Sequence, residues 1–230
     1  PSGEIVLRER TPTPRGDYDA TVATIRDLVT DAETKLGERG TVGVAIPGTI
    51  SPKSGLVKNA NSTNLIGHAL DKDLNAALGR TVRLANDANC FALSAASDGA
   101  AAGKSVVFGI IAGTGVGGGV VVNGQIINGA HAIGGEWGHN PLPGARADEM
   151  PGPLCFCGKR GCIEAWCAGP KFEQQFADAT GRNLPAREIA AAAENGDAQA
   201  KAEIDLWLDR FARSVASLVN ILDPDAVVFG

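Results

Sequence analysis

The chain has 230 residues, 44% of them hydrophobic and 20% charged, which suits a globular protein with room for one large domain or two small ones. Its net charge of −5 and pI near 5.2 argue against nucleic acid or an anionic membrane as partner, since both need a basic face. No apolar run approaches the roughly 20 residues of a membrane span, and no signal-peptide pattern leads the chain.

"GEIVLRERTPTP" (3–14) reads as a strand ended by prolines. From Asp17, apolar residues recur at three- and four-residue steps through Tyr18, Val22, Ile25, Val29, Ala32 and Leu36, an amphipathic helix with Asp17 as N-cap and Gly37 past its end. "TVGVAIPG" (41–48) is a short apolar run, as in a buried strand. A loop-rich stretch follows, then a helix over 71–78 and a strand in "TVRLAND" (81–87). "ANCFALSAAS" continues as a helix that stops in a Gly-rich break near 99–103, a candidate domain boundary. The expected division is therefore 1–100 and 101–230. "SVVFGIIAGTG" (105–115) and "GGVVVNGQII" (118–127) read as strands, with Asn123-Gly124 as a type I′ hairpin turn. Residues 128–170 carry no regular pattern but hold much of the glycine, histidine and cysteine. Helices are expected over 171–180, 185–194 and 198–222. The last has an apolar face of Ile204, Trp207, Leu208, Phe211, Val215, Leu218, Val219 and Leu222. "DPDAVVFG" opens a final strand. Alternating strands and helices indicate an α/β class. The chain opens almost directly onto a strand pattern and stops within another, so sequence is expected to be missing at both ends.

Four stretches carry candidate chemistry. The first is "CFCGKRGC" (155–162), which holds three of the five cysteines. An odd, clustered set does not fit a secreted disulfide framework; the reading is a reducing, cytoplasmic setting with metal or redox chemistry. Cys155, Cys157 and Cys162 converge if Gly158 and Gly161 let the backbone curl. Three thiolates need a fourth ligand for the tetrahedral geometry of Zn²⁺, and His139, in "GEWGHNPLP", is available. Free thiols and a redox pair are the alternatives, although redox pairs usually read C-x-x-C. Cys90 and Cys167 lie in helical patterns and read as small apolar residues.

The second stretch is "AGTGVGGGVVV" (112–122). Its glycines would let backbone N–H groups approach a phosphate, with Thr114 as a hydroxyl donor; a plain tight turn explains it as well. The third is "LANDANC" (84–90). Asn86 and Asp87 stand at the carboxyl end of a strand, where α/β sheets bind ligands. Asp87 suits a general base there, and equally a helix N-cap. The fourth is the set Glu136, His139 and Glu164 around the cysteine loop. A zinc-bound imidazole and two carboxylates would grip a polyhydroxyl ligand; surface acids are the plainer account.

These stretches occur together and in this order in the ROK sugar kinases and regulators, which the chain resembles across nearly its whole length. "GTVGVAIPGTISPKSGLVKNANSTNLIG", "RLANDANCFALS", "GTGVGGGVVVNG", "GGEWGHNPLP", "CFCGKRGCIEAWCAGP" and "NILDPDAVVFG" carry the likeness. "SPKSGLVKNANST" and "GEWGHNPLP" lean toward the bacterial fructokinases of the family. "TPTPRGDYDAT" and "GTGVGGG" also resemble its N-acetylglucosamine kinases. The resemblance implies an actin-like ATPase (ribonuclease H-like) fold, with two lobes and with nucleotide and sugar in the cleft. It implies ATP, Mg²⁺ and a structural Zn²⁺ held by His139, Cys155, Cys157 and Cys162. Asp87 matches the base that takes a proton from the sugar's primary hydroxyl. Gly48, Asn61, Asn86, Glu136, His139 and Glu164 match sugar contacts. Thr114, Gly115 and Gly117 match a phosphate loop. The first hairpin of the family, D-x-G-G-T-K, is absent, so the chain as it stands is not expected to phosphorylate anything. The expected activity is phosphorylation of a hexose, fructose first. N-acetylglucosamine, glucose and mannose are alternatives, and a sugar-responsive repressor is the alternative of another class. A homodimer is expected, with no nucleic-acid or membrane partner.

Overall fold

The computed structural model describes residues 3–230; the reading of sequence missing before Pro1 lies outside them. The chain forms two compact units. One runs up to Asp87 and includes Ala130–Ala132; the other comprises Ala88–Gly129 and Ile133–Gly230. The division thus falls ahead of the Gly-rich break at 99–103. That break only closes a helix of the larger unit, where the N–H groups of Asp98 and Gly99 both reach the Ser94 carbonyl.

The smaller unit starts with α1 (Tyr18–Leu36). The Asp17 carboxylate accepts from the Ala20 N–H at 2.9 Å, and Gly37 ends the helix at φ 68°, as the sequence predicts. Strands β1 (Val42–Ile46), β2 (Thr49–Ile50) and β3 (Val57–Lys58), helix α2 (Leu70–Leu78) and strand β4 (Val82–Asn86) follow. β1 and β4 pair in parallel, with Val42 opposite Val82 and Ile46 opposite Asn86. Ile46, Val57, Leu65, Leu70, Leu74 and Val82 form the core, covered by Tyr18, Val22 and Ile25 of α1. Only Ile46 of β1 is buried, so this apolar run is not the fully covered strand that its composition predicts. Residues 4–10 form no strand either, and Ile5 and Val6 are exposed. A strand exists through ladder bonds to a neighbour, and alternation alone supplies none.

The larger unit contains α3 (Asp87–Ser97, its first residue counted with the smaller unit), β5 (Val106–Ala112), β6 (Val116–Val122), β7 (Gln125–Ile126), α4 (Ile163–Cys167), α5 (Gly169–Thr180), α6 (Ala186–Glu194), α7 (Ala198–Leu222) and β8 (Ala226–Phe229). The sheet order is β7-β6-β5-β8, with β8 parallel to β5 and the other pairs antiparallel. Asn123 and Gly124 both have positive φ, 50° and 73°, as a type I′ turn requires.

Side-chain alternation along β5 and β6 gives the sheet two faces. Val107 and Val121 pack with Ala92 and Ala96 of α3. Phe108, Ile110 and Val120 pack with Trp137, Trp166 and the α7 residues Phe211 and Leu218. Helix α3 comes close because its contacts are alanine against glycine. A Cβ at Gly119 would stand 2.7 Å from the Ala88 carbonyl oxygen, and one at Gly109 would stand 2.7 Å from the Ala92 Cβ. Gly119→Ala should therefore cost about 1–3 kcal/mol of stability through overpacking, read as a lowered melting temperature. An unchanged melting temperature would mean that α3 yields freely.

Of the stripe predicted for α7, Ile204, Trp207, Phe211, Val215, Leu218 and Leu222 pack in the core. Leu208 and Val219 are exposed instead, while Arg210 and Ser214 are buried. Among the described residues, no helix is long and apolar enough to cross a membrane.

Candidate active site

In the smaller unit, the parallel strands β1 and β4 bring Ile46 and Asn86 side by side at their carboxyl ends. Just past them, the Asn86 side-chain amide donates to the Gly48 carbonyl at 3.3 Å. Gly48 is buried with φ 134°, and a Cβ there would stand 2.8 Å from the Lys58 carbonyl oxygen. The turn from β1 into β2 therefore requires glycine at this position. Asn61 is exposed in the loop after β3, and Asp87 is exposed as the first residue of α3. This unit thus collects Gly48, Asn61, Asn86 and Asp87.

The larger unit holds the remaining candidates. Ligand atoms of His139, Cys155, Cys157 and Cys162 lie within 4.8 Å of one another. Cys157 Sγ is 3.7 Å from Cys162 Sγ, and His139 Nδ1 is 3.6 Å from Cys155 Sγ. A tetrahedral Zn²⁺ with its usual bond lengths puts two sulfurs about 3.8 Å apart and a sulfur and nitrogen about 3.5 Å apart. The donor set and its spacing fit that ion. Local backbone explains the convergence: Gly158 and Gly161 take φ of 85° and 71°, and short bridges pair Pro141 with Cys162 and Leu154 with Arg160.

Burial pushes the Cys155 thiol above its ordinary value and the Cys162 thiol up to about 12. Burial raises Cys157 too, but hydrogen bonds from the Lys159 backbone N–H and the neighbouring thiols outweigh it and leave this thiol below its ordinary value. Buried thiols give up protons readily only when a cation replaces them. Cys167, buried in α4, is pushed up to about 12 by desolvation and lies outside the cluster, as its apolar neighbourhood predicts.

His139 and Cys155 also have contacts toward the rest of the unit. The 3₁₀ turn Trp137–His139 is held on β6, because Trp137 Nε1 donates to the Gly117 carbonyl at 3.0 Å. His139 Nδ1 faces the sulfurs, which leaves Nε2 4.0 Å from a carboxylate oxygen of Glu136. Glu164, on α4 directly after Cys162, reaches two ways. Its Oε1 lies 3.8 Å from Cys155 Sγ, and its Oε2 accepts from the Val116 N–H at 3.0 Å. The glycine-rich turn between β5 and β6 is thereby tied to the cysteine loop through one carboxylate. Thr114 is exposed at the tip of that turn, between Gly113 and Gly115. A Cβ on Gly115 would stand 2.6 Å from Glu164 Oε2. The glycine-rich stretch has two uses: Gly113 and Gly115 shape the turn, while Gly119 admits α3.

One residue that sequence reasoning missed stands behind the loop. Glu149 has a side chain only 1% exposed. Its Oε1 accepts from Arg210 Nε at 2.9 Å, Arg213 Nη2 bonds both oxygens, and Oε2 accepts from the Arg146 N–H. Burial alone would raise this carboxyl, but those hydrogen bonds and the Arg213 charge hold it below the usual carboxylate range. Arg210 lies 4.2 Å over the Trp166 ring and donates to Gln175. The network binds the loop and α4 to α7. Its only sequence signal is a pair of arginines three residues apart beside an apolar stripe.

The ROK family model matches residues 1–230. An N-acetyl-D-glucosamine kinase of Yersinia enterocolitica is 41% identical over 229 residues, 98% of this chain and 76% of that protein. One of Shigella boydii is 43% identical over 232 residues, covering 99% and 76%. Among solved structures, the ROK hexokinase of Thermus thermophilus superposes with a TM-score of 0.79 at 32% identity, covering 96% of this chain and 72% of that one.

Proposed function

The chain belongs to the ROK family, with its mixed α/β, actin-like ATPase fold, and from that premise we propose that it is an ATP-dependent sugar kinase acting on N-acetylglucosamine. Within the larger unit, the observation that carries the kinase reading is Glu164, which joins the glycine-rich turn to the Cys/His cluster. One carboxylate in both places couples a phosphate-binding element to a polyhydroxyl-binding one.

The expectation of fructose gives way here. Two relatives above 40% identity are N-acetyl-D-glucosamine kinases, and "TPTPRGDYDAT" and "GTGVGGG" already resemble that branch. Asp87, the Glu136–His139–Glu164 set and the cysteine loop match motifs shared by kinases of several sugars, so they do not discriminate. An acetamido group is told from a hydroxyl by a few hydrogen bonds and pocket shape.

In this reading Asp87 takes the proton of the sugar's primary hydroxyl as that oxygen bonds the γ-phosphorus and the bond to ADP breaks. Gly48, Asn61 and Asn86 are candidate sugar contacts of the smaller unit, and Glu136, His139 and Glu164 those of the larger. Backbone N–H groups of Gly115 and Gly117, with the Thr114 hydroxyl, receive phosphate oxygens. Mg²⁺ would supply charge neutralisation to the transferred phosphate, and His139, Cys155, Cys157 and Cys162 would hold a Zn²⁺ that supplies a fixed loop geometry. His139 places Nε2 beside Glu136, and a metal held at Nδ1 would keep the proton on Nε2.

A coupled ADP-release assay of the intact protein across N-acetylglucosamine, glucose, mannose and fructose tests the substrate. The highest kcat/KM is expected for N-acetylglucosamine; a preference for any other sugar overturns that choice. Metal stripping tests the cluster. Chelator-treated protein should bind sugar more weakly while nucleotide affinity changes little, measured by calorimetry. Unchanged sugar affinity would sever the loop from the sugar.

A further inference from the structure

The four cluster residues differ in their access to solvent. Cys155 and Cys162 are buried at 3% and 1% exposure, whereas Cys157 is exposed. Exposure runs without a break from Phe156 to Arg160. The Cys157 sulfur therefore lies on the open lip of the loop, 3.7 Å from a buried sulfur. Gly158 next to it has no heavy atom within 4 Å of where its Cβ would be, so the approach to the Cys157 sulfur is open on that side.

We propose that Cys157 is a peroxide-sensitive modification site: a hydroperoxide oxidises it, Cys162 resolves it as a disulfide, and the cluster releases its metal. This rests on the reading of the cluster as a zinc site. The Cys157 sulfur attacks one peroxide oxygen, the O–O bond breaks, and a sulfenic acid forms with loss of water. Cys162 sulfur then attacks the sulfenic sulfur, the S–S bond forms, and a second water leaves. Two thiols lose two electrons in all, and one hydrogen peroxide becomes two waters. His139 and Cys155 remain as the only ligands, too few for a tetrahedral site. Cys162 is the resolving partner because its sulfur lies 3.7 Å from that of Cys157, whereas the Cys155 sulfur is turned toward His139 and Glu164. The consequence for the proposed kinase is a loop released beside Glu164, with weakened sugar binding until a dithiol restores the thiols.

The test uses purified intact protein and a chromogenic chelator. A mercurial thiol reagent first releases total zinc; no zinc at this step sinks the metal reading and the proposal with it. Hydrogen peroxide is then added to untreated protein. Expected are release of the same zinc, loss of two of the five thiols, and a peptide map showing Cys157 joined to Cys162. Dithiothreitol with added zinc should reverse all three. Zinc retained under peroxide, a disulfide through Cys155, or sulfinic acid at Cys157 without a disulfide overturns the proposal while leaving the zinc reading intact. Cys157→His keeps a fourth ligand but removes the reactive sulfur, and should hold its zinc at peroxide doses that empty the unmutated protein. The peptide map of the unmutated protein decides the question even if that variant folds poorly.

Discussion

Asp87→Asn should lower kcat by about 10²- to 10⁴-fold, the usual contribution of a positioned general base, while sugar affinity changes little. Asn is nearly isosteric with Asp and is an equally good residue at a helix start, so α3 should keep its first turn. The amide still accepts and donates hydrogen bonds but takes no proton from the sugar hydroxyl. The substitution therefore separates chemistry from binding, which Asp87→Ala would not. Steady-state ADP release gives kcat, and calorimetry gives the sugar affinity. If kcat stays within a few-fold of the unmutated protein, Asp87 is a helix-starting residue, as the sequence pattern alone also allows. If affinity collapses with kcat, its role is to hold the sugar.

The second large effect is expected far from any reacting atom. Glu149→Gln should destabilise the fold by about 3–5 kcal/mol, because a buried charge loses its partner. Arg210 is buried against the Trp166 ring, and Glu149 is its carboxylate partner, 2.9 Å away. A glutamine offers Arg210 a neutral oxygen and places an N–H₂ group against guanidinium donors. Denaturant titration measures the loss. Asp209→Asn is the control: its pairs with Arg146 and Arg213 are more exposed, and such pairs contribute about 0–1 kcal/mol. A Glu149 variant as stable as the control would show that the network is dispensable.

Acid should expose the same carboxylate. Its folded pKa lies below its unfolded value, so its stabilisation is complete above the unfolded pKa, near 4.3 for Glu, and is lost as pH falls through the folded pKa. As pH falls below that unfolded value, the loss of stability should therefore be shallower for Glu149→Gln than for the unmutated protein.

Much of the architecture could be read along the chain. Asp17 and Gly37 mark both ends of α1, Asn123-Gly124 marks the β6–β7 turn, and the spacing of Cys155, Cys157 and Cys162 already asks for a fourth ligand. Each of these depends on a few neighbouring residues whose backbone angles or donor types are set locally. Asn86 and Asp87 were also legible, as polar residues at the carboxyl end of a strand.

What remained hidden depended on distant partners. "GEIVLRER" has a strand's alternation, yet residues 4–10 form no strand, because ladder bonds come from another segment. Arg210 reads as the solvent side of α7 until Glu149, 61 residues away, makes its burial tolerable. "GTGVGGG" reads as one glycine-rich loop until α3 lands on Gly119 while Glu164 meets Gly115. Helix ends, turns and ligand spacing are short-range properties, and the sequence by itself determined them. Burial of charge, strand partners and the second contact of Glu164 require long loops to close and several elements to pack at once, so only the tertiary structure decided them.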